Sequence, residues 1–590
     1  MPGAAVRREL WGAAVWTTDW VFAHLYCSWF GLLVYLFTAP LAELYFSGFV
    51  RRFVSRRALR QHATHSEHSD AAEAIRMWDL LIESYPGQEL AAHFRGWFIG
   101  EGTMRRGNVE AVVAWTVFNL APAACNAEQC RVMERIVGRV ESVLGSPLPA
   151  GCDPSLVVMS YTHEPWAIGH KPLIVYLLLE LFRGFLAVFM RHHGYQLQNA
   201  GRLSFWCRPA PDPLRRPRPP PPAPIVLLHG VLGLLPYAIL LRVLARTHDG
   251  AVLVPIFTHC SITLRHVCDE FKADQPPHDS AELVAAIRTM IARHAPSGTP
   301  PRASFIAHSL GTSFLAPLMR STPELVVAAA FVDPICFLLP DGAVLKNVLY
   351  ATPHPIRHTF HWLHRYVVAN EATQQDYFRT CWWWAQHWLH PGEICCDSVV
   401  MLSGQDSVAE ARSVYAHLKG YFGERRVGLK RTRGAESVKG EGADRRHPRV
   451  EVLMNESWSH GWLLFQPHKQ CELVRKIQLM ALAAESAPAK ATSPRSVLML
   501  PPQLDEARAI DQTPSFAQVG FEKGAATRRS VSPRKHVRIS REGGVSLPED
   551  FDEGADADTE TVSVGSSEMH SETDGSFEEP TLSPTRHAVW

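Results

Sequence analysis

The sequence predicts an α/β domain over residues 225–486, with a mainly parallel sheet that carries helices on both faces. The first observation is an alternation of short, β-rich apolar runs with longer stretches of helical periodicity, which is typical of parallel strands joined by helical crossovers. The second is that polar and glycine-containing turns directly follow several of these runs, where such sheets place their sites. The composition agrees, since 46% hydrophobic and 20% charged residues supply a large core and exclude a wholly disordered chain.

The elements of this domain follow one another in chain order. The predicted strands are Ile225–Leu228, Ala251–Phe257, Ala303–Ala307, Val326–Val332, Ser398–Leu402 and Val450–Met454. The predicted helices are Ser280–His294, a helix that begins near Ser309, and the amphipathic His468–Ala484. Residues 336–395 are long enough to form a helical cap, whereas the Gly- and Arg-rich residues 423–448 predict a disordered insertion.

Residues 1–60 predict an N-terminal membrane anchor with a basic flank. The run Trp20–Ala42 contains no Asp, Glu, Lys or Arg, and as a helix it would be about 35 Å long against a hydrocarbon core of about 30 Å. Five arginines between residues 51 and 60 follow it, so the positive-inside rule places the bulk of the chain, with the α/β domain, in the cytosol. His24 and Pro40 interrupt the run, which leaves an interfacial hairpin as the alternative to a single pass. An endoplasmic reticulum or lipid-droplet surface would suit either form.

Residues 61–207 predict a helical region that ends in a second apolar helix. Its first helical stretches are Ala71–Glu83 and Val109–Leu120. Residues 172–190 are apolar but contain Glu180 and Arg183. Because charged side chains are costly in hydrocarbon, we expect this helix to lie against the main domain or in the membrane surface, with a second span as the alternative.

Two further segments predict no regular fold. Residues 208–224 contain nine prolines and predict a polyproline linker ahead of the sheet, or a surface excursion within the domain. Residues 487–590 predict a disordered tail, in which a basic stretch precedes thirteen acidic residues in 541–590. The net charge of +1 argues against nucleic acid as a partner. The charged tail is instead a candidate for binding protein partners.

The first chemical signal is Ala307-His308-Ser309-Leu310-Gly311, between an apolar strand and a helix. A nucleophilic serine needs a sharp strand-to-helix turn that lifts its hydroxyl from the sheet edge, and small residues on both sides let this turn close. The usual pattern is Gly-x-Ser-x-Gly, so Ala307 is a mild departure that puts the rate of reaction in question. The helix that begins behind Ser309 favours negative charge in front of it.

The second signal is His229-Gly230-Val231-Leu232-Gly233, directly after the first strand of the domain. A loop of this type supplies a backbone N–H to an oxyanion, and a second N–H comes from the residue after the nucleophile. The predicted oxyanion donors are therefore Val231 and Leu310, with Gly230 giving the loop its conformational freedom.

Two later signals complete the chain order Ser, Asp, His. Asp406 follows the strand Ser398–Leu402, and His460 follows the last strand. We expect His460 to accept the proton of Ser309, while Asp406 fixes its tautomer and stabilises its charged form. Asp333, at the end of the strand after the nucleophile helix, is the alternative acid.

In these motifs, residues 225–484 resemble the α/β-hydrolase superfamily. More narrowly, the chain resembles a largely uncharacterised eukaryotic group of membrane-linked hydrolases. The similar segments are Lys171-Pro172-Leu173, Phe331-Val332-Asp333-Pro334-Ile335-Cys336-Phe337-Leu338, the Trp-rich stretch near Trp382, and the Ser-Gly-x-Asp and His-Gly elements. The resemblance implies a lipase- or esterase-like serine hydrolase with its triad on Ser309, Asp406 and His460.

The residues that bind substrate are left open by the sequence. The expected cap is rich in aromatic side chains, which would suit an apolar acyl chain or would simply pack on the sheet. The substrate-binding candidates among them are Trp382, Trp383 and Trp384. The cysteines form no CxxC pair, and we expect neither a metal nor a cofactor.

The sequence thus predicts a membrane-associated serine hydrolase that cleaves a carboxylic ester, of a lipid or another apolar acyl substrate, through an acyl-enzyme on Ser309. An alternative is a catalytically weak or inactive scaffold that keeps the hydrolase fold and recruits partners through its charged tail. Acyl transfer to an alcohol would use the same triad and is a third hypothesis.

Overall fold

The structure is a computed structural model of the chain. It describes residues 39–50, 71–85, 87–164, 171–211, 221–262, 279–296, 298–350, 366, 369–423, 427–431 and 448–486. Three predicted features lie mostly or wholly outside these residues, namely the anchor at Trp20–Ala42, the linker at 208–224 and the tail at 487–590. The predicted anchor and tail therefore stay predictions, as does the polyproline conformation of the linker.

The strands of the described residues form one large sheet and one small one. The small sheet pairs β1 (Phe98–Ile99) with β2 (Val157–Val158). The nine strands of the large sheet are β3 (Gln196–Ala200), β4 (Leu203–Arg208), β5 (Ile225–Leu228), β6 (Val252–Pro255), β7 (Ala303–His308), β8 (Val326–Val332), β9 (Asp397–Gln405), β10 (Val427–Arg431) and β11 (Val450–Ser459).

The order across the large sheet is β10-β11-β9-β8-β7-β5-β6-β4-β3. β4 is antiparallel to both of its neighbours, and every other pair is parallel. β5 lies between β6 and β7, so the direction of winding reverses there, and parallel sheets bind ligands outside the carboxyl ends of strands at such a point. This sheet and its helical crossovers make up the α/β-hydrolase fold, so the predicted fold class is confirmed.

Several of the helices connect strands of the large sheet, and others precede it in the chain. They are α1 (Ala71–Ser84), α2 (Gly87–Gly96), α3 (Arg106–Phe118), α4 (Ala127–Leu144), α5 (Leu173–His192), α6 (Ala238–Thr247), α7 (Ser280–His294), α8 (Leu310–Ser321), α9 (Ala372–Thr380), α10 (Trp384–His387), α11 (Ala411–Phe422) and α12 (Pro467–Ser486). Residues 39–50 are also helical. Short helical segments lie at Pro122–Ala124, Leu235–Tyr237, Thr258–Cys260, Pro323–Leu325, Leu339–Asp341, Ala343–Leu345, Lys346–Tyr350, Pro391–Glu393 and Trp462–Phe465.

Both faces of the sheet are buried, which explains why its central strands are continuous apolar runs. Along β5, Ile225 and Leu227 pack into the core shared with α6 and α12. Val226 and Leu228 point to the opposite face and pack into the core shared with α7 and α8. The alternation of a strand thus divides one apolar run between two layers of helices.

The sheet begins earlier in the chain than predicted. β3 and β4 precede the proline-rich segment 208–224, so this segment connects two strands of the sheet, and the expected domain start at Ile225 is corrected to Gln196. β3 reads Gln-Leu-Gln-Asn-Ala and is largely exposed. An edge strand of this composition carries no apolar run, which is why the sequence pattern does not mark it.

The opposite edge of the sheet corrects a second prediction. Residues 423–448 were expected to form a disordered insertion, but β10 lies within them and pairs in parallel with β11. This strand has only five residues and lies among charged ones, so the sequence around it predicts disorder and not a strand.

The tryptophans expected in a cap pack as core instead. Trp382, Trp383 and Trp384 are each at most 1% exposed. The indole N–H of Trp384 donates to the carbonyl of Thr116 on α3 at 3.0 Å, and the ring of Trp383 lies 6.1 Å from that of Trp115. These side chains join the helices α1–α4 to the sheet in one apolar core. The packing interpretation therefore replaces the substrate-binding one for these three residues.

α5 lies on the domain along one face and exposes the other. Tyr176, Leu186 and Met190 are buried. Among the described helices, α5 is the one that is long and apolar enough to cross a membrane, and only 17% of its most apolar stretch is buried. The protein thus covers this helix only in part.

Trp384→Ala should lower the free energy of unfolding by about 3–5 kcal/mol, because it opens a cavity and removes a buried hydrogen bond. Trp462→Ala, at a side chain that is 47% exposed, is the matched control and should change it by less than about 1 kcal/mol. Urea unfolding of the full chain measures both. Equal midpoints for the two variants would contradict the assignment of Trp384 to the core.

Candidate active site

Ser309 occupies a sharp turn between β7 and α8. Its backbone φ is +54°, a left-handed conformation that residues with a side chain rarely adopt. The N–H of Ser309 donates to the carbonyl of Val332 at 3.0 Å, and its own carbonyl accepts the hydroxyl of Thr312 at 2.6 Å. The neighbouring strand and helix thus hold the turn in a strained form that is typical of a nucleophile elbow.

The two small residues around this turn differ in importance. A Cβ on Gly311 would lie 2.1 Å from the carbonyl oxygen of Leu228 on β5, so only glycine lets α8 approach the sheet this closely. Ala307 lies within β7, where it pairs with Leu228 and Phe331 and is fully buried. The methyl group of Ala307 is accommodated there, so the departure from the Gly-x-Ser-x-Gly pattern leaves the turn intact.

His460 directly follows β11 and bridges Ser309 and Asp406. Its Nε2 lies 2.8 Å from Ser309 Oγ, and its Nδ1 lies 2.7 Å from Asp406 Oδ2. In the neutral ring, Nδ1–H donates to Asp406 and Nε2 accepts the hydroxyl proton of Ser309. Burial alone would lower the pKa of His460, but the charge and hydrogen bond of Asp406 and the charge of Asp333 outweigh it and raise this pKa to about 9.

Asp406 is held in place by the loop after β9. Its Oδ1 accepts the N–H groups of Val408 at 2.7 Å and Ala409 at 3.1 Å, which leaves Oδ2 for His460. The Asp406 side chain is 2% exposed. Three donors around a buried carboxylate satisfy it and fix its orientation toward the imidazole.

Asp333, the alternative acid, contacts backbone N–H groups and not the imidazole. Its Oδ1 accepts the N–H of Ser403 at 3.0 Å, and its Oδ2 accepts the N–H of Gly461 at 2.7 Å. It therefore ties the end of β9, three residues before Asp406, to the residue after His460. Burial, followed by the charge of Asp406, raises the pKa of Asp333 to about 6. This geometry favours Asp406 as the partner of His460 and gives Asp333 a positioning role.

The loop after β5 reaches the nucleophile from the other side. A Cβ on Gly230 would lie 3.0 Å from Ser309 Cβ, so the loop backbone passes directly beside the serine. The N–H of Gly230 donates to Tyr237 Oη at 2.7 Å. Among the described residues, the N–H groups of Val231 and Leu310 donate to no protein acceptor. These two are the donors that the sequence predicts for an oxyanion.

A buried pair behind the nucleophile, Tyr237 and His308, was not singled out by the sequence. Tyr237 Oη lies 2.5 Å from His308 Nδ1. On the other side of the ring, His308 Nε2 lies 4.0 Å from Asp333 Oδ2. Burial, followed by the charge of His460, holds the pKa of His308 well below its ordinary value, so its ring is neutral. Nothing in the local sequence around His308 or Tyr237 indicates that these two side chains meet.

Backbone strain is concentrated at this site. Five non-glycine residues of the described structure have a positive φ, and four of them lie in the turn, in the loops around it or at Asp333. These four are Leu232, Ile262, Ser309 and Asp333. Such conformations persist where the surrounding structure fixes them, and they cluster at functional sites.

One set of metal-binding residue types is brought together among the described residues, and it is part of this site. The ligand atoms of Asp333, Asp406 and His460 lie within 4.8 Å of one another. The oxygens of Asp333 and Oδ2 of Asp406 already accept N–H donors. The arrangement therefore fits a hydrogen-bonded network around the imidazole better than a cation site.

Comparisons with known proteins concern the fold. No family model matches the chain, and no curated protein matches its sequence. Among solved structures, a bacterial membrane phospholipase A is similar at 14% identity and a TM-score of 0.33, covering 53% of this chain and 94% of its own. A carboxylesterase of Bacillus subtilis is similar at 12% identity and a TM-score of 0.33, covering 52% and 98%. The naproxen esterase of the same organism has 11% identity and a TM-score of 0.30, covering 51% and 96%. Similarity this low indicates no substrate.

Gly311→Ala should disrupt the elbow, because the new Cβ would meet the Leu228 carbonyl. We expect the variant to lose folded protein or at least about 3 kcal/mol of stability. Ala307→Gly is the matched control, since it should retain the turn and cost only about 1 kcal/mol within a strand. Soluble yield and thermal unfolding measure both. A tolerated Gly311→Ala would contradict the close approach of α8 to β5.

Proposed function

We propose that the chain is a serine hydrolase that cleaves carboxylic esters with Ser309 as nucleophile, His460 as general base and Asp406 as the acid of the triad. The observation that carries this proposal is the continuous hydrogen-bonded line from Ser309 Oγ through His460 to Asp406, with distances of 2.8 and 2.7 Å. The three residues directly follow β7, β9 and β11, and the carboxyl ends of these parallel strands lie on the same side of the sheet.

In the proposed first half-reaction, His460 Nε2 takes the proton of the Ser309 hydroxyl as Oγ attacks the ester carbonyl. The imidazolium that forms is stabilised by the negative charge of Asp406. The carbonyl oxygen becomes an oxyanion, and the backbone N–H groups of Val231 and Leu310 are its proposed donors. His460 then gives its proton to the leaving alcohol, and the acyl group stays on Ser309.

In the second half-reaction, water takes the place of the alcohol. His460 accepts a proton from this water as the water attacks the acyl carbonyl, and it returns the proton to Ser309 Oγ when the acid leaves. The same base serves both halves because its Nε2 faces the serine and its Nδ1 stays bound to Asp406. A chain that had kept only the fold as a scaffold would not need this alignment or the strain at Ser309.

For the substrate we propose an ester with an apolar acyl chain, such as a membrane lipid, and for the protein an association with a membrane. The predicted anchor at Trp20–Ala42 and the partly uncovered apolar helix α5 support this part of the proposal. An ester that partitions into a bilayer is concentrated where such a protein is held.

Ser309→Ala should abolish labelling by a fluorophosphonate probe and lower kcat for a soluble ester by at least roughly 10³-fold, because the nucleophile is lost. Ser321→Ala, at the far end of α8 where the hydroxyl bonds the Pro317 carbonyl, is the matched control and should keep both. In-gel fluorescence and p-nitrophenyl acetate hydrolysis measure the two effects. A wild-type protein that is folded yet neither labelled nor active would refute the proposed activity and favour the scaffold.

The rate should rise with pH up to about 9. His460 must be neutral to accept the serine proton, and its pKa is raised to about 9, so the active form is depleted below that pH. We expect kcat/KM for a soluble ester to increase about tenfold per pH unit well below the pKa and then to level. A flat profile between pH 6 and 9 would contradict the assignment of His460 as the base.

Asp406→Asn should move this rise to lower pH, because it removes the main contribution that raises the pKa of His460. It should also lower kcat by a factor on the order of 10³–10⁴. Asp333→Asn is the comparison, since Asp333 does not bond His460, and the substitution removes a more distant charge together with one of the two acceptors for the N–H groups of Ser403 and Gly461. We expect a smaller shift of the same sign there, and a larger shift in Asp333→Asn than in Asp406→Asn would reverse the two assignments.

A further inference from the structure

Two adjoining helices present one apolar surface. The exposed large apolar side chains of α5 recur at helical spacing and are Ile174, Leu177, Leu178, Leu181, Phe182, Phe185 and Val188. The helix at residues 39–50 adds Leu41, Leu44 and Tyr45. The two helices are joined, since Glu43 accepts the N–H of Leu173 at 2.7 Å and the rings of Phe46 and Tyr176 lie 5.2 Å apart. A patch of this kind marks an interaction site rather than scattered exposure.

The charges of α5 lie on its other side. Arg183 donates to the carbonyls of Ser261 at 2.9 Å and Ile262 at 3.0 Å, and to Glu180 at 2.7 Å. Glu180 and Arg183, the ionised side chains in the middle of α5, are therefore used to bind the protein, and Arg191 in the last turn lies over the ring of Trp206 at 5.6 Å. The outer face is left apolar along a helix that is about 30 Å long.

The inner face of α5 packs against the loop of the proposed oxyanion donor. Tyr176, Phe46 and Ile262 form a small buried cluster, and Val231 and Leu232 pack on it. Only the thickness of one helix, about 10 Å, thus separates the outer apolar surface from the loop beside Ser309. A substrate held at the outer surface would lie close to the reacting serine.

We propose that α5 and the helix at residues 39–50 form a membrane-contact surface whose outer face lies among the acyl chains of a bilayer, and that the active site takes its ester from that bilayer. The membrane contact is argued from the apolar surface alone, whereas the supply of ester from the bilayer rests on the proposed ester hydrolysis. The bilayer is the favoured occupant because the apolar run Trp20–Ala42, long enough to cross hydrocarbon, leads directly into this surface.

The geometry also decides how α5 meets the bilayer. Tyr176, Leu186 and Met190 are buried along its length, so lipid reaches only one side of the helix. We therefore expect α5 to lie in the plane of the interface, with its covered side toward the domain and its apolar side toward the acyl chains.

Site-specific photocrosslinking tests the contact without any requirement for activity. Benzoylphenylalanine replaces Leu181 or, as the matched control, Leu482 on α12, which are 54% and 52% exposed. The full chain is reconstituted in vesicles of radiolabelled phosphatidylcholine. We expect lipid adducts at position 181 and none at 482. Adducts at 181 with residues 1–38 of the same chain or with a second copy, or the absence of lipid adducts, would overturn the proposal.

A pair of substitutions tests the supply of substrate. Leu181→Glu should lower hydrolysis of p-nitrophenyl palmitate embedded in phosphatidylcholine vesicles by at least about tenfold, because it places a charge in the contact surface. Hydrolysis of p-nitrophenyl acetate in solution and labelling of Ser309 should stay within about twofold, because the site is untouched. Leu482→Glu should keep both activities. An unchanged palmitate rate in Leu181→Glu would refute bilayer supply.

The two proposals fail in different ways. If the wild type hydrolyses neither ester, the hydrolase proposal falls, and the crosslinking result alone decides the contact surface. If Leu181→Glu loses both activities together with Ser309 labelling, the substitution has damaged the fold, and the crosslinking result again decides.

Discussion

The close approach of α8 to β5 is the contact on which the rest of the site depends. The start of α8 lies so close to β5 that no Cβ fits between Gly311 and the Leu228 carbonyl. Ser309 alone connects β7 to α8, and it makes this turn at a φ of +54°. Strain of this kind costs about 1–3 kcal/mol, and the carbonyl of Val332 helps to hold it by accepting the serine N–H. The same turn places the N–H of Leu310 at the start of a helix, where it donates to no acceptor among the described residues. The positions of the proposed nucleophile and of one proposed oxyanion donor thus follow from a single packing constraint.

The buried carboxylate of Asp333 is a second constraint, and it acts on the other two members of the proposed triad. A buried charge costs several kcal/mol unless it is hydrogen-bonded, and Asp333 finds its donors in the backbone of Ser403 and Gly461. These bonds set the loop of Asp406 and the turn after His460 at a fixed separation. The rise of the Asp333 pKa to about 6 indicates that the two bonds do not fully offset burial and the nearby carboxylate. The negative charges of Asp406 and Asp333 both raise the pKa of His460 and so stabilise its protonated imidazole.

The sequence predicts those parts of the structure that depend on local pattern. The strand-to-helix turn at Ser309 and the chain order of Asp406 and His460 follow from motifs and their spacing, and the structure brings these three side chains together. The hydrogen bond between Tyr237 and His308 depends on two segments about 70 residues apart, so no local pattern reports it. The start of the sheet was missed for another reason, because an exposed polar edge strand lacks the apolar run by which strands are recognised.

The charged pair Glu180 and Arg183 in helix α5 is interpreted differently from the sequence and from the structure. Within an apolar run, Glu180 and Arg183 argue against a membrane helix, since ionised groups are costly in hydrocarbon. In the structure, Arg183 binds two carbonyls of the loop after β6 and pairs with Glu180. The charges therefore mark the face that is attached to protein, and they leave the opposite face apolar. A charged pair at i, i+3 in an otherwise apolar helix is thus compatible with a membrane surface when the fold supplies acceptors on one side. Composition alone cannot distinguish this case from a soluble core helix, because the distinction depends on which face the domain covers.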